Sequence, residues 1–176
     1  MKNANVRDVV AIMELAATLE DGILRGENWD ELKVSKVLKN LRKKQKHFKG
    51  LSFQTISAYG ENGAIIHYKP TNITSKKIGR DSLLLLDSGL KLLLNHWYFV
   101  LTLLFDPWYI WQWIINLGGQ YLDGTTDTTR TFHFGQPTNF EKEAYTRVLI
   151  GSIDLARATF IADHGTTDSR LDILAR

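Results

Sequence analysis

Two aspartates stand in short glycine-flanked motifs, and their carboxylates are hard oxygen donors of the kind that hold divalent cations. Asp87 begins Asp87-Ser88-Gly89 at the end of an apolar run, and Asp127 closes Asp123-Gly124-Thr125-Thr126-Asp127. They lie forty positions apart (127 − 87). Omitting Leu90 to Gly118, 29 residues (118 − 90 + 1), reduces that separation to eleven and leaves the continuous string DSGGQYLDGTTD. A lone aspartate at a strand end usually caps a loop, so the weight rests on the two motifs together. The chain has no cysteine, which removes thiolate metal sites and disulfides and leaves carboxylate and imidazole chemistry. No G-x-S-x-G and no phosphate-binding glycine loop is present, so nucleophilic serine or cysteine catalysis has no support. Of the five histidines, His67 ends the apolar stretch Gly63-Ala64-Ile65-Ile66. His133 reads as a packing or capping residue, and His47, His96 and His164 as surface residues.

The elements that must position these groups follow from periodicity. Val6, Val10, Met13 and Ala17 mark one face of an opening helix over Asn3 to Leu24. A basic helix follows, from Leu32 to Lys46. Val34, Val37, Leu38 and Leu41 form its apolar side, and Lys33, Lys36, Lys39, Arg42, Lys43, Lys44 and Lys46, continued by Lys49, form a solvated cationic face. Alternation predicts strands over Leu51 to Ser57 and Ala64 to Tyr68 with a turn at Glu61-Asn62-Gly63, a buried strand over Leu83 to Asp87, and a hairpin turning at Asp123-Gly124 into Thr128 to Phe134. Thr138 and Glu141 form a capping box opening a helix to about Phe160, with Phe140, Ala144, Val148 and Leu155 along its inner face. A last helix starts at Asp168. The class is α+β, with helices packed on one face of an antiparallel sheet. At 176 residues the chain is most simply one domain, and its net charge of +3 with no recognised nucleic-acid module predicts no nucleic-acid partner. No signal-peptide pattern opens the sequence, so the predicted compartment is the cytosol.

The string DSGGQYLDGTTD, continued by Thr128-Thr129-Arg130-Thr131-Phe132-His133-Phe134-Gly135, resembles the metal-binding hairpin of the Xaa-Pro aminopeptidases, which have the creatinase or pita-bread fold. Met1 to Asp8, Phe48 to Ser57, Gly63 to Tyr68, Pro137 to Glu143 and Leu171 to Arg176 resemble family segments in the same order. A histidine usually stands in the family where this chain has Asn5. The resemblance implies a metal-dependent aminopeptidase that releases the N-terminal residue from peptides with proline second. It implies two divalent ions, Mn²⁺ first and Zn²⁺ or Co²⁺ as alternatives, with Asp87 chelating one ion and Asp127 bridging both. His67 would be a non-ligand active-site residue that hydrogen-bonds the substrate and stabilises the tetrahedral intermediate, while Thr129 and Arg130 would orient the ligands. A homodimer is implied for the intact protein.

Helix, helix, hairpin, hairpin, helix is about the first half of a pita-bread domain. The family's remaining ligands, one His in a HGTGHGVG-like segment and two Glu beyond it, have no counterpart in this sequence. Residues 1–176 are therefore expected to be a partial catalytic domain interrupted at 90–118, and the alternative is a catalytically inactive fragment or interaction module. Three readings of the interruption stay open: a retained intron, a family-specific loop and a membrane element. Removing it keeps the frame and restores the motif. Its apolar run is long enough to span a bilayer, but Asp106-Pro107 near the middle opposes a membrane-crossing helix.

Overall fold

The computed structural model of the chain describes residues 1–51, 54–88 and 119–157. The interruption at 90–118 and the helix expected from Asp168 lie outside them. Two units are distinguished, Met1–Gly135 and Gln136–Arg176.

The first unit opens with α1 (Lys2–Leu24) and α2 (Glu31–Lys44). Asp30 caps α2 by accepting from the Lys33 N–H at 2.7 Å, and Arg42, Lys43 and Lys44 fill the last turn, where cations oppose the negative end of the helix dipole. Six described strands follow the helices in two antiparallel sheets. One sheet holds β1 (Phe48–Leu51), β4 (Gly119–Tyr121) and β5 (Gly124–Thr125) in that order. The other holds β2 (Ile56–Tyr59), β3 (Leu83–Ser88) and β6 (Thr128–His133), with β3 central. The α+β class is therefore as expected.

Period-two alternation divides the β2-β3-β6 sheet. Leu84 and Leu86 face the helices and, with Tyr59, join a core built on Ala11, Ile12, Leu15, Leu19, Trp29, Val34, Leu38 and Leu41. Leu85 shares the opposite face with Ile56, Ala58 and Tyr68. Asp87 and Ser88, the last two residues of β3, consequently point to opposite faces.

The face of α1 differs from the sequence expectation. Ala4, Asp8, Ala11, Ile12, Leu15, Leu19 and Gly22 are buried, whereas Val6, Val10 and Met13 are exposed. The expected stripe avoided the charge at Asp8, but that charge is paired inside the core. Arg42 is the second correction: expected on the cationic face, it is fully buried and forms the other half of that pair. The α2 lysines at 36, 39, 43 and 44 are exposed as expected, whereas Lys33 is half-buried with its ammonium 3.9 Å from the centre of the Trp29 ring.

Between β2 and β3 the chain departs from the expected strand over Ala64 to Tyr68. A 3₁₀-helix spans Gly60–Ala64, and His67 adopts a left-handed backbone at φ 55° in the following turn. The cause is Glu31, buried at the start of α2. Its carboxylate accepts from the backbone N–H groups of Tyr59 at 2.7 Å and Lys76 at 3.1 Å, from Asn62 Nδ2 at 3.0 Å, and from the Tyr68 hydroxyl at 2.7 Å. These bonds bend the segment around one acceptor instead of letting it extend. Glu31→Ala is expected to cost about 3 kcal/mol, because the buried Tyr59 N–H, the buried Asn62 amide and the half-buried Lys76 N–H lose their acceptor. Urea denaturation measures it, and a loss below about 1 kcal/mol would contradict the hub.

In the second unit, α3 (Asn139–Arg157) begins at the expected capping box. The Glu141 N–H donates to Thr138 Oγ1 at 3.2 Å, and the Thr138 N–H donates to Glu141 Oε2 at 2.7 Å. Phe140 and Val148, expected on an inner face, are exposed, and the side chain of Leu155 lies outside those described.

Candidate metal centre

Antiparallel pairing of β3 with β6 closes the forty-residue separation between the two aspartates. Leu83 pairs with His133, and the register runs on through Asp87 with Thr129 to Ser88 with Thr128. Asp127 is the residue before β6, so it enters the sheet beside the end of β3 that carries Asp87. Thr129, directly across from Asp87, donates its hydroxyl to Asp87 Oδ1 at 3.0 Å, which fixes the carboxylate's orientation. Arg130 turns back and donates from Nη1 to the Thr129 carbonyl at 2.7 Å. The orienting part expected of Thr129 thus has a direct contact, whereas Arg130 acts on the Thr129 backbone.

The electrostatics of the pair are those of two like charges held together. Partial burial pushes the Asp127 carboxyl above its ordinary range, Asp87's negative charge pushes it further, and a bond from the Thr128 N–H opposes both. A bound cation reverses the sign of this interaction, so the donor set fits a divalent ion. In its absence the pair strains the fold. A carboxyl raised in the folded state binds its proton more tightly folded than unfolded. Its stabilising contribution is complete below the unfolded value of about 3.9 and is lost as pH rises through the raised folded value. Asp127→Asn is therefore expected to stabilise the metal-free chain at pH 7, by less than about 1 kcal/mol because water screens the site. The gain should vanish near pH 3. Denaturation in EDTA at the two pH values checks this, and a destabilised variant at pH 7 would contradict it.

Asp127 is framed by two buried threonines, Thr126 and Thr128. Thr126 Oγ1 accepts from the Gly119 N–H at 2.9 Å, and the Thr126 N–H donates to the Gly119 carbonyl at 3.1 Å. His67 is exposed in its left-handed turn, a conformation that costs a non-glycine residue about 1–3 kcal/mol. His133 accepts from the Gly135 N–H at 3.0 Å through Nδ1, the capping part expected of it. Among the described residues, no three His, Asp or Glu side chains are grouped as a metal site. No described helix is long and apolar enough to cross a membrane.

Comparison with known proteins decides the family. The sequence model of metallopeptidase family M24 matches residues 1–104 and 113–176. The chain belongs to metallopeptidase family M24. The chain of this M24 member is 42% identical over 176 residues to the probable Xaa-Pro aminopeptidase P of Tuber melanosporum, an alignment covering 100% of this chain and 23% of the relative. It is 40% identical over 174 residues to the Xaa-Pro aminopeptidase ApepP of Drosophila melanogaster, covering 99% and 23% respectively. Among solved structures it is similar to the X-prolyl aminopeptidase of Caenorhabditis elegans, described as a cytosolic enzyme with a di-nuclear active site. That likeness has a TM-score of 0.74 and 34% identity, and it covers 100% of this chain and 24% of the other. The chain thus spans about a quarter of the length of the relatives it matches, and the fold is the one expected for the first part of a pita-bread domain.

The residues that sequence reasoning missed lie behind the site. Asp8, Arg42, Thr55, Ser88 and Tyr121 form one buried hydrogen-bonded group. A charge at Asp8 inside the stripe of Ala4, Ala11, Ile12 and Leu15 was the available signal, since a charge in a core stripe requires a buried partner.

Proposed function

We propose that residues 1–176 are part of the catalytic domain of an Xaa-Pro aminopeptidase, interrupted at 90–118, and that Asp87 and Asp127 are two of its metal ligands. The observation that supports the reading is the β3–β6 register, which pairs Asp87 with Thr129, two residues after Asp127, so that the two charges interact although they lie forty positions apart. The substrate is a peptide with proline second. The metal set is two divalent ions, Mn²⁺ first, and the compartment is the cytosol, supported by the likeness to the C. elegans enzyme. The intact protein is read as a homodimer.

When bound, such ions polarise a carbonyl and lower the pKa of water. The chain's own residues do the rest. Asp87 and Asp127 supply anionic oxygens, and Thr129 holds the Asp87 carboxylate in orientation. His67, held by Glu31 through its neighbour Tyr68, presents an imidazole to hydrogen-bond the substrate. Catalytic single-metal sites generally keep three protein ligands, so two carboxylates are not expected to hold a reactive pair of ions by themselves. The 176-residue chain alone is therefore expected to be inactive. The test is a rebuilt chain, with residues 90–118 removed and the rest of a relative's catalytic domain joined after Arg176. It should release the N-terminal residue from an Xaa-Pro peptide only with Mn²⁺ present and leave an Xaa-Ala peptide intact. Equal cleavage of both peptides would overturn the specificity.

A further inference from the structure

Asp8 and Arg42 are both fully buried, and they meet in a bidentate pair: Arg42 Nε donates to Asp8 Oδ1 at 2.7 Å and Nη2 to Asp8 Oδ2 at 2.8 Å. The remaining arm of the guanidinium reaches the end of β3, where Nη1 donates to Ser88 Oγ. Ser88 also shares a hydrogen bond with Thr55 Oγ1 at 3.2 Å. On the other side the Tyr121 hydroxyl donates to Asp8 Oδ1 at 3.0 Å, and burial together with the Asp8 charge pushes the Tyr121 hydroxyl's pKa well up. The Arg7 guanidinium lies 5.3 Å from the centre of the Tyr121 ring and pairs with Asp123 in the next turn.

The placement of these contacts is selective. Ser88 is the neighbour of Asp87 and pairs with Thr128, the neighbour of Asp127. Gly119, the other end of the interruption, is bonded in both directions to Thr126, the second neighbour of Asp127. A Cβ on Gly119 would stand 3.0 Å from Asp8 Oδ1 and 2.9 Å from the Tyr121 ring, so the ion pair packs directly against that backbone. Ser88, Thr128 and Thr126, which flank the two carboxylates, are thus tied at one or two steps to a single buried pair contributed by α1 and α2.

We propose that the Asp8–Arg42 pair positions the Asp87–Asp127 carboxylates, clamping Ser88 on one side and Gly119 and Tyr121 on the other, so that the metal-ligand spacing is held from behind. Asp8, Arg42 and Ser88 are positioning residues that act through the backbone on either side of the ligands. A bidentate guanidinium suits the task because its planar fork fixes Asp8 with two arms while the third is directed at Ser88, a geometry that an ammonium cannot reproduce. The proposal rests on the reading of Asp87 and Asp127 as metal ligands.

The test uses the 176-residue chain and Mn²⁺ alone, followed by paramagnetic broadening of the Asp87, Thr128 and Thr129 amide signals well below the melting temperature. The unsubstituted chain should show weak, saturable broadening, and Asp127→Asn should abolish it. Ser88→Ala, which leaves the ion pair intact, should raise the Mn²⁺ dissociation constant about 10-fold, Arg42→Lys should do the same, and Ser88→Thr should restore the original affinity. A purely structural role would lower the melting temperature of these variants without moving the dissociation constant. If Arg42→Lys fails to fold, Ser88→Ala against Ser88→Thr decides the matter. An unchanged dissociation constant in Ser88→Ala, with binding still abolished by Asp127→Asn, overturns the positioning role and leaves the metal reading standing. Absence of saturable broadening in the unsubstituted chain, or its survival in Asp127→Asn, overturns the metal reading and the positioning role with it.

Discussion

Asp127→Ala should lower kcat/KM of the rebuilt, Mn²⁺-loaded chain on an Xaa-Pro peptide by about 10³-fold or more. Metal ions contribute several kcal/mol of charge stabilisation in such reactions, and about 1.4 kcal/mol corresponds to each tenfold in rate. Asp127 enters β6 beside Asp87, and its carboxyl pKa is raised first by partial burial and then by repulsion from the Asp87 charge. Removing it relieves that repulsion and at the same time removes the charge that holds a cation. The variant should therefore be inactive yet no less stable than its parent when metal-free. His67→Ala has a different signature. His67 is exposed and belongs to a turn fixed by Glu31 and Tyr68, not to the carboxylate pair. Its loss should lower kcat by about 10²-fold, the lower end for a positioned proton-handling side chain, and leave Mn²⁺ affinity nearly unchanged. Kinetics beside a Mn²⁺ titration separate the two, and a His67→Ala variant that lost the metal would contradict the assignment.

The second large effect is on stability. Asp8→Ala leaves the Arg42 guanidinium buried without its carboxylate and takes the acceptor from the Tyr121 hydroxyl. Breaking a buried ion pair from one side costs about 3–5 kcal/mol, because an uncompensated charge remains in the core. That is a large share of the total stability of a small domain, about 5–15 kcal/mol. Replacing both partners by apolar residues of similar volume, as in Asp8→Leu with Arg42→Met, should recover most of the loss. A double-mutant cycle by urea denaturation checks the coupling, and additive losses would contradict it.

The parts legible in the sequence were those carried by local pattern or motif. The capping box at Thr138 and Glu141 and the Leu83 strand each depend on a few neighbouring residues, and each formed close to where it was expected. The turn after Tyr121 formed too, but it leads into the short β5, and Thr128–His133 pairs with β3 in the other sheet instead of closing a hairpin. Asp87 and Asp127 were found because deletion of 90–118 restored one motif, while their proximity depends on pairing that a deletion can only suggest. What local pattern missed was tertiary. Hydrophobic periodicity assigned α1 the face of Val6, Val10 and Met13 because it scored Asp8 as polar, and it left Arg42 among the solvated lysines for the same reason. Each of the two charges is buried only because the other is present, so neither could be read alone. The Ala64 to Tyr68 run differs for the same kind of reason: its alternation favours a strand, but four donors converging on Glu31 hold it as a turn that follows the 3₁₀-helix.

The most direct measurement is anomalous diffraction from crystals of the rebuilt chain grown with Mn²⁺. Manganese peaks are expected within coordination distance of both the Asp87 and Asp127 carboxylates, with Thr129 still bonded to Asp87. Manganese bound elsewhere, with these two carboxylates coordinating none, would contradict it.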